Sequence, residues 1–76
     1  MASTYVVESF RFLGLISDRR SAATVNTLQA RLHDAWRRKP SRVVVREISA
    51  GGSTDRTWEL LSRSEVEDVV HQAANS

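Results

Sequence analysis

The chain has no cysteine, one proline, three glycines and five aromatic residues among 76. Without cysteine there is no disulfide framework, no thiolate nucleophile and no cysteine zinc site to reinforce a small core. No apolar run approaches the roughly 20 residues that span a bilayer, which excludes a transmembrane helix. The opening MASTYVVESF carries no basic stretch followed by a long apolar core, so no secretory signal is read and a cytoplasmic location is expected. The length leaves room for one thin-cored domain, 1–76, and excludes two-domain enzymes. What is present, 41% hydrophobic and 26% charged residues, is a globular balance that predicts a soluble folded domain.

Charge is unevenly laid out. Residues 11–46 hold nine cations against Asp18 and Asp34, whereas residues 47–76 hold six carboxylates against Arg56 and Arg63. Ten of the eleven cations are arginine, which suits bidentate contact with phosphate or carboxylate and equally follows from a GC-rich coding sequence.

Hydrophobic periodicity organises the chain. Thr4–Leu13, rich in aromatic and β-branched residues and closed by Gly14, predicts a strand and a turn. Ala22, Val25, Leu28, Leu32, Ala35 and Trp36 recur at helical spacing within Ser21–Lys39, with Ser17, Asp18 or Ser21 as N-cap and Pro40 as the stop. Arg42–Ser49 and Thr54–Ser62, joined by AGGS, read as a β-hairpin. Ser64 and Glu67 form a capping-box signature, and Val66, Val69, Val70 and Ala73 stripe a short terminal helix. No internal repeat, low-complexity tract or linker is evident.

The order is therefore β-α-β-β-α, and the fold class is α+β: a three-stranded sheet with both helices on one face, a ferredoxin-like plait lacking its last strand. The first strand would lie beside Thr54–Ser62 in that arrangement, or beside Arg42–Ser49 through a plain parallel crossover. Trp58 and Leu60 share a face and are expected to pack inward, away from Glu59 and Leu61.

Catalytic groupings are sparse. Glu67 and Asp68 lie four and three residues before His71, which could place two ligands on one helical face but not a complete metal site. No G-x-S-x-G elbow is present, and AGGST lacks a Walker lysine and precedes a strand, so it reads as a turn. No metal or cofactor is expected, and His33 or His71 would be the general base if the chain were an enzyme.

Both faces of the strands are substantially apolar, so one sheet face would stand in water. Self-association as a homodimer is expected, through a face carrying Tyr5, Val7 and Arg11. An open sheet with aromatics is similar in outline to RNA-recognition modules, without their sequence pattern. The functional expectation is a non-enzymatic interaction module that self-associates through its sheet and binds a protein partner. The alternative is a small nucleic-acid-binding regulator. The residues expected to carry binding are Arg37, Arg38, Lys39, Arg42 and Arg46.

Overall fold

A computed structural model of the chain describes residues 3–11 and 16–75. The elements are β1 (Thr4–Phe10), β2 (Ile16–Ala22), α1 (Val25–Arg37), β3 (Arg42–Ile48), β4 (Thr54–Leu60), a 3-10 turn (Arg63–Glu65) and α2 (Val66–Ala74). The strands form one sheet in the order β2-β1-β3-β4, and every neighbouring pair is antiparallel. This corrects the expectation of a three-stranded plait lacking a strand: the sheet has four strands, and the additional one lies at an edge beside β1.

That strand, ISDRRSA, has almost no apolar alternation and buries only Ala22 among its described side chains. Its extended form comes from backbone pairing with β1, from Tyr5↔Ala22 to Phe10↔Ile16, and its charged side chains suit an edge that must not pair further. It also reverses the chain before the first helix. α1 therefore carries the chain over β1 from β2 to β3, and β1 lies antiparallel to β3. Both the ferredoxin-like order and the parallel crossover are overturned for this one reason. Phe12, Leu13 and Gly14, assigned to the first strand and its turn, lie outside the described residues.

The same strand displaces the helix start. Ser17, Asp18 and Ser21 belong to β2, and Thr24 is the N-cap, its Oγ1 accepting from the Thr27 N–H at 3.1 Å. At the other end Lys39 adopts φ 51°, a left-handed conformation that turns the chain out of the helix ahead of Pro40. The capping box also moves. Glu65, not Glu67, reaches back to the backbone N–H groups of Leu61 and Ser62, at 2.5 and 3.0 Å.

Alternation along each strand decides which side chains meet the helices. Tyr5 and Val7 of β1, Val43 and Val45 of β3, and Leu60 of β4 form one buried cluster with Leu28, Leu32 and Ala35 of α1 and Val66, Val69 and Ala73 of α2. Both helices thus cover one sheet face, as expected. The opposite face carries Val6, Glu8, Phe10, Arg42, Val44, Arg46 and Ile48, with no layer above it among the described residues. No helix among them is long and apolar enough to cross a membrane.

The topology contains a repetition that residue identity does not show. A strand-strand-helix unit occurs twice, and its register repeats: Tyr5↔Ala22 in the first hairpin corresponds to Val43↔Leu60 in the second.

Trp58 does face α2, where its Nε1 donates to Gln72 Oε1 at 2.8 Å, but the indole is half-buried, whereas Leu60 is fully enclosed. Trp58→Ala is therefore expected to cost about 2 kcal/mol, less than the 3–5 kcal/mol typical of a fully buried tryptophan. Urea denaturation followed by far-UV circular dichroism measures it.

Candidate functional site

The four arginines and one lysine expected to share a binding surface are divided by the fold. Arg37, Arg38 and Lys39 sit at the carboxyl end of α1, and Arg42 and Arg46 project from β3 on the face turned away from the helices. The two groups differ in how their charge is met.

On the open face Arg42 lies 4.3 Å from the centroid of the Phe10 ring and contacts Glu59 at 3.0 Å. Arg46 approaches Glu8 Oε1 at 2.6 Å, while Arg19 stands 3.8 Å from the other oxygen. The Arg46 contact is a close ion pair without the alignment of a hydrogen bond. Only 3% of the Glu8 side chain is exposed. The arginine stems and ion pairs spread over this face, which leaves Val6, Phe10, Val44 and Ile48 half-buried instead of fully wet.

At the end of α1, Arg38 donates to Asp18 at 2.9 Å and to Asp34 at 3.4 Å, and Arg20 also reaches Asp18, at 3.1 Å. Burial would raise the Asp18 carboxyl. The hydrogen bond from Arg20 and the charges of Arg20 and Arg38 outweigh it and hold Asp18 below the usual carboxylate range. Arg11, Arg37 and Lys39 make no ion pair among the described residues.

Arg11, Arg38, Lys39 and Ser41 line a cleft of about 320 Å³. Ser41 locks the floor of this region to the end of β1, its N–H and its hydroxyl both donating to the Phe10 carbonyl, at 2.8 and 2.9 Å. The β1–β3 register, which sets Phe10 opposite Arg42, is what brings Arg11 beside Lys39 and Ser41. Chemically, the cleft offers guanidinium and ammonium donors to an anion, with one guanidinium already anchored by carboxylates.

Of the residues assigned to self-association, Tyr5 and Val7 are only 6% and 2% exposed and lie under the helices. Arg11 is exposed, in the cleft. The assignment of Tyr5 and Val7 to a free surface is corrected: strand alternation turns them inward and turns Val6, Glu8 and Phe10 outward. Association through the open sheet would have to use Val6, Phe10, Val44 and Ile48.

The histidines lie on the two helices. His33 Nε2 is 3.5 Å from Glu67, and His71 Nε2 is 3.0 Å from the Asn75 amide. Glu67, Asp68 and His71 line a shallow cleft of about 400 Å³ with Val70 and Ala74. Among the described residues no cluster of three or more metal-ligating side chains occurs.

Two features escape sequence reading. One is the cleft, because Arg11 and Ser41 are 30 residues apart and converge only through strand pairing. The other is a polar network under α2. Arg56 grips Glu47 with two hydrogen bonds, at 2.7 and 2.9 Å, and donates to the Gln72 carbonyl at 2.9 Å while lying 4.9 Å from the Trp58 ring centroid. Its only sequence signal is a glutamate and an arginine flanking a hairpin turn.

No protein-family model matches the sequence, and no curated protein or solved structure is significantly similar to it.

Proposed function

We propose that this small α+β domain acts by binding, without catalysis, and that it binds nucleic acid through phosphate contacts at the carboxyl end of α1. The observation that carries this reading is the gathering of cations without an acidic partner among the described residues, Arg11 and Lys39 in the cleft and Arg37 next to it in the chain. Cations already neutralised inside a fold gain little from a phosphate. Unpaired ones release counterions and bind it. Ser41 adds a hydroxyl at the same place, while Arg38, already held by Asp18 and Asp34, lines the cleft without a free charge to offer. Arg42 and Arg46 are left outside the proposed surface because each is engaged with a carboxylate on the other face.

The acidic α2, with Glu67 and Asp68 in its first turn, opposes any coating of the whole surface by polyanion. It favours a single binding orientation with the α1 end toward the phosphates.

Fluorescence anisotropy with short labelled duplex and single strands tests this. Binding should weaken linearly in logarithmic salt, with a slope of about −0.9 per phosphate neutralised on duplex DNA. Arg11→Ala and Lys39→Ala should each lower affinity several-fold and reduce the slope by about one unit. Arg19→Ala, on the open sheet face, should leave both unchanged. Absence of binding to either strand form at low salt, or equal loss in all three variants, would overturn the proposal.

A further inference from the structure

The repeated strand-strand-helix unit is closer to a true duplication than its topology alone requires. Adding 38 to every residue number of the first hairpin reproduces the second. Ser9↔Asp18 becomes Glu47↔Arg56, and the shifted pair Phe10↔Ile16 becomes Ile48↔Thr54, so even the bulge falls at the same place. The same offset relates Thr24, the N-cap of α1, to Ser62, the N-cap of the 3-10 turn that leads into α2, and the buried helix positions Leu28 and Val66, and Ala35 and Ala73. Between β1 and β3, Val7 pairs with Val45, its own equivalent, so a pseudo-two-fold axis runs through that pair.

One equivalent pair stands out beside the axis. Glu8 and Arg46 hold the same position in the two units, carry opposite charge and lie 2.6 Å apart, with the Glu8 side chain 3% exposed. A symmetric dimer of either unit would place two like charges there, which is destabilising for close neighbours on a sheet. Only six positions are identical across the offset, Ser3, Val6, Val7, Gly14, His33 and Ala35 with their counterparts. The duplication is therefore carried by register and burial instead of residue identity.

We infer that the chain is a covalently joined dimer of two strand-strand-helix units, in which Glu8 and Arg46, at equivalent positions, match each half to the other and not to a copy of itself. The pair acts as a complementarity device of the kind that selects unlike over like association. Its place on the open face, across the β1–β3 seam, puts it at the sheet contact that joins the two units among the described residues.

Two experiments on the full chain test the inference. In the first, Glu8→Arg and Arg46→Glu are made singly and together. Each single change should lower the urea midpoint clearly, and the double exchange should recover more than half of the combined loss. Losses that simply add would overturn the role of the pair. If the single variants do not fold, Glu8→Gln, Arg46→Gln and their combination take their place. The combination should then be no less stable than the worse single variant, and additive losses again overturn the role.

The second experiment tests the duplication. Arg37 and Ser41 are bridged by three residues, and their equivalents Asn75 and Ser3 would be bridged by Ser76, Met1 and Ala2. A circular permutant beginning at Lys39 and ending at Arg38, with Ser76 joined directly to Met1, should keep the far-UV spectrum and one cooperative unfolding transition. A permutant that is unfolded, or that folds only with an added linker, would overturn it.

Discussion

Leu32→Ala should destabilise the domain by about 3 kcal/mol, within the 2–5 kcal/mol expected for a buried leucine truncated to alanine. Leu32 is 0% exposed and lies in the cluster that joins α1, α2 and the central strands, so no single element can relax to fill the space. A domain of this length has roughly 4–11 kcal/mol in all. The variant should therefore unfold at a markedly lower urea concentration with an unchanged slope, because the surface exposed on unfolding is the same. Truncation of Leu61, which is 65% exposed, should leave the midpoint nearly unmoved. Similar effects at both positions would show that the helices do not share one core.

The second large effect is expected at Glu47. The hydrogen bonds from Arg56 hold its carboxyl below the ordinary glutamate range against the opposing pull of burial. A carboxyl lowered in the folded state adds stability that is complete above its unfolded value, about pH 4.3, and is lost as pH falls through the folded value. Asp18 acts in the same direction. Tyr5 works at the other limit. Burial, reinforced by its hydrogen bond to Glu47, raises its phenol, so stability falls again once pH rises above about 10. A plateau between these limbs is the expected profile.

Glu47→Gln should lower stability at pH 7 by about 2–3 kcal/mol. This is below the 3–5 kcal/mol of a broken, fully buried pair, because Arg56 keeps the Gln72 carbonyl and access to water. It should also flatten the acid limb below about pH 5. Urea midpoints across that range check both statements, and an unchanged acid limb would place the acid sensitivity elsewhere.

Several parts of this fold follow from local pattern. RVVVREI alternates buried and half-buried residues as a strand must, and Arg42–Ile48 pairs with Thr54–Leu60 across the turn that AGGS predicts. Leu28, Leu32 and Ala35 lie on one face of α1 because their spacing puts them there, and Val66, Val69 and Ala73 do the same on α2. Inward Leu60 and the end of α1 ahead of Pro40 are equally local in origin.

What escaped was decided at long range. ISDRRSA has no strand pattern, and it is a strand because β1 offers it a row of backbone partners. Once that edge strand exists, the polarity of β1 against β3, the cap at Thr24 and the inward turn of Tyr5 and Val7 all follow. The cleft formed by Arg11, Lys39 and Ser41 and the Glu8–Arg46 pair are products of the same register. The sequence by itself determined which segments are amphipathic and where their charges lie. Only the tertiary structure decided which charges are neutralised within the fold and which are not, because that depends on which strands pair and in what register, as Glu8 and Arg46, 38 positions apart, meet only through the β1–β3 pairing, and side-chain pattern alone carries no such register.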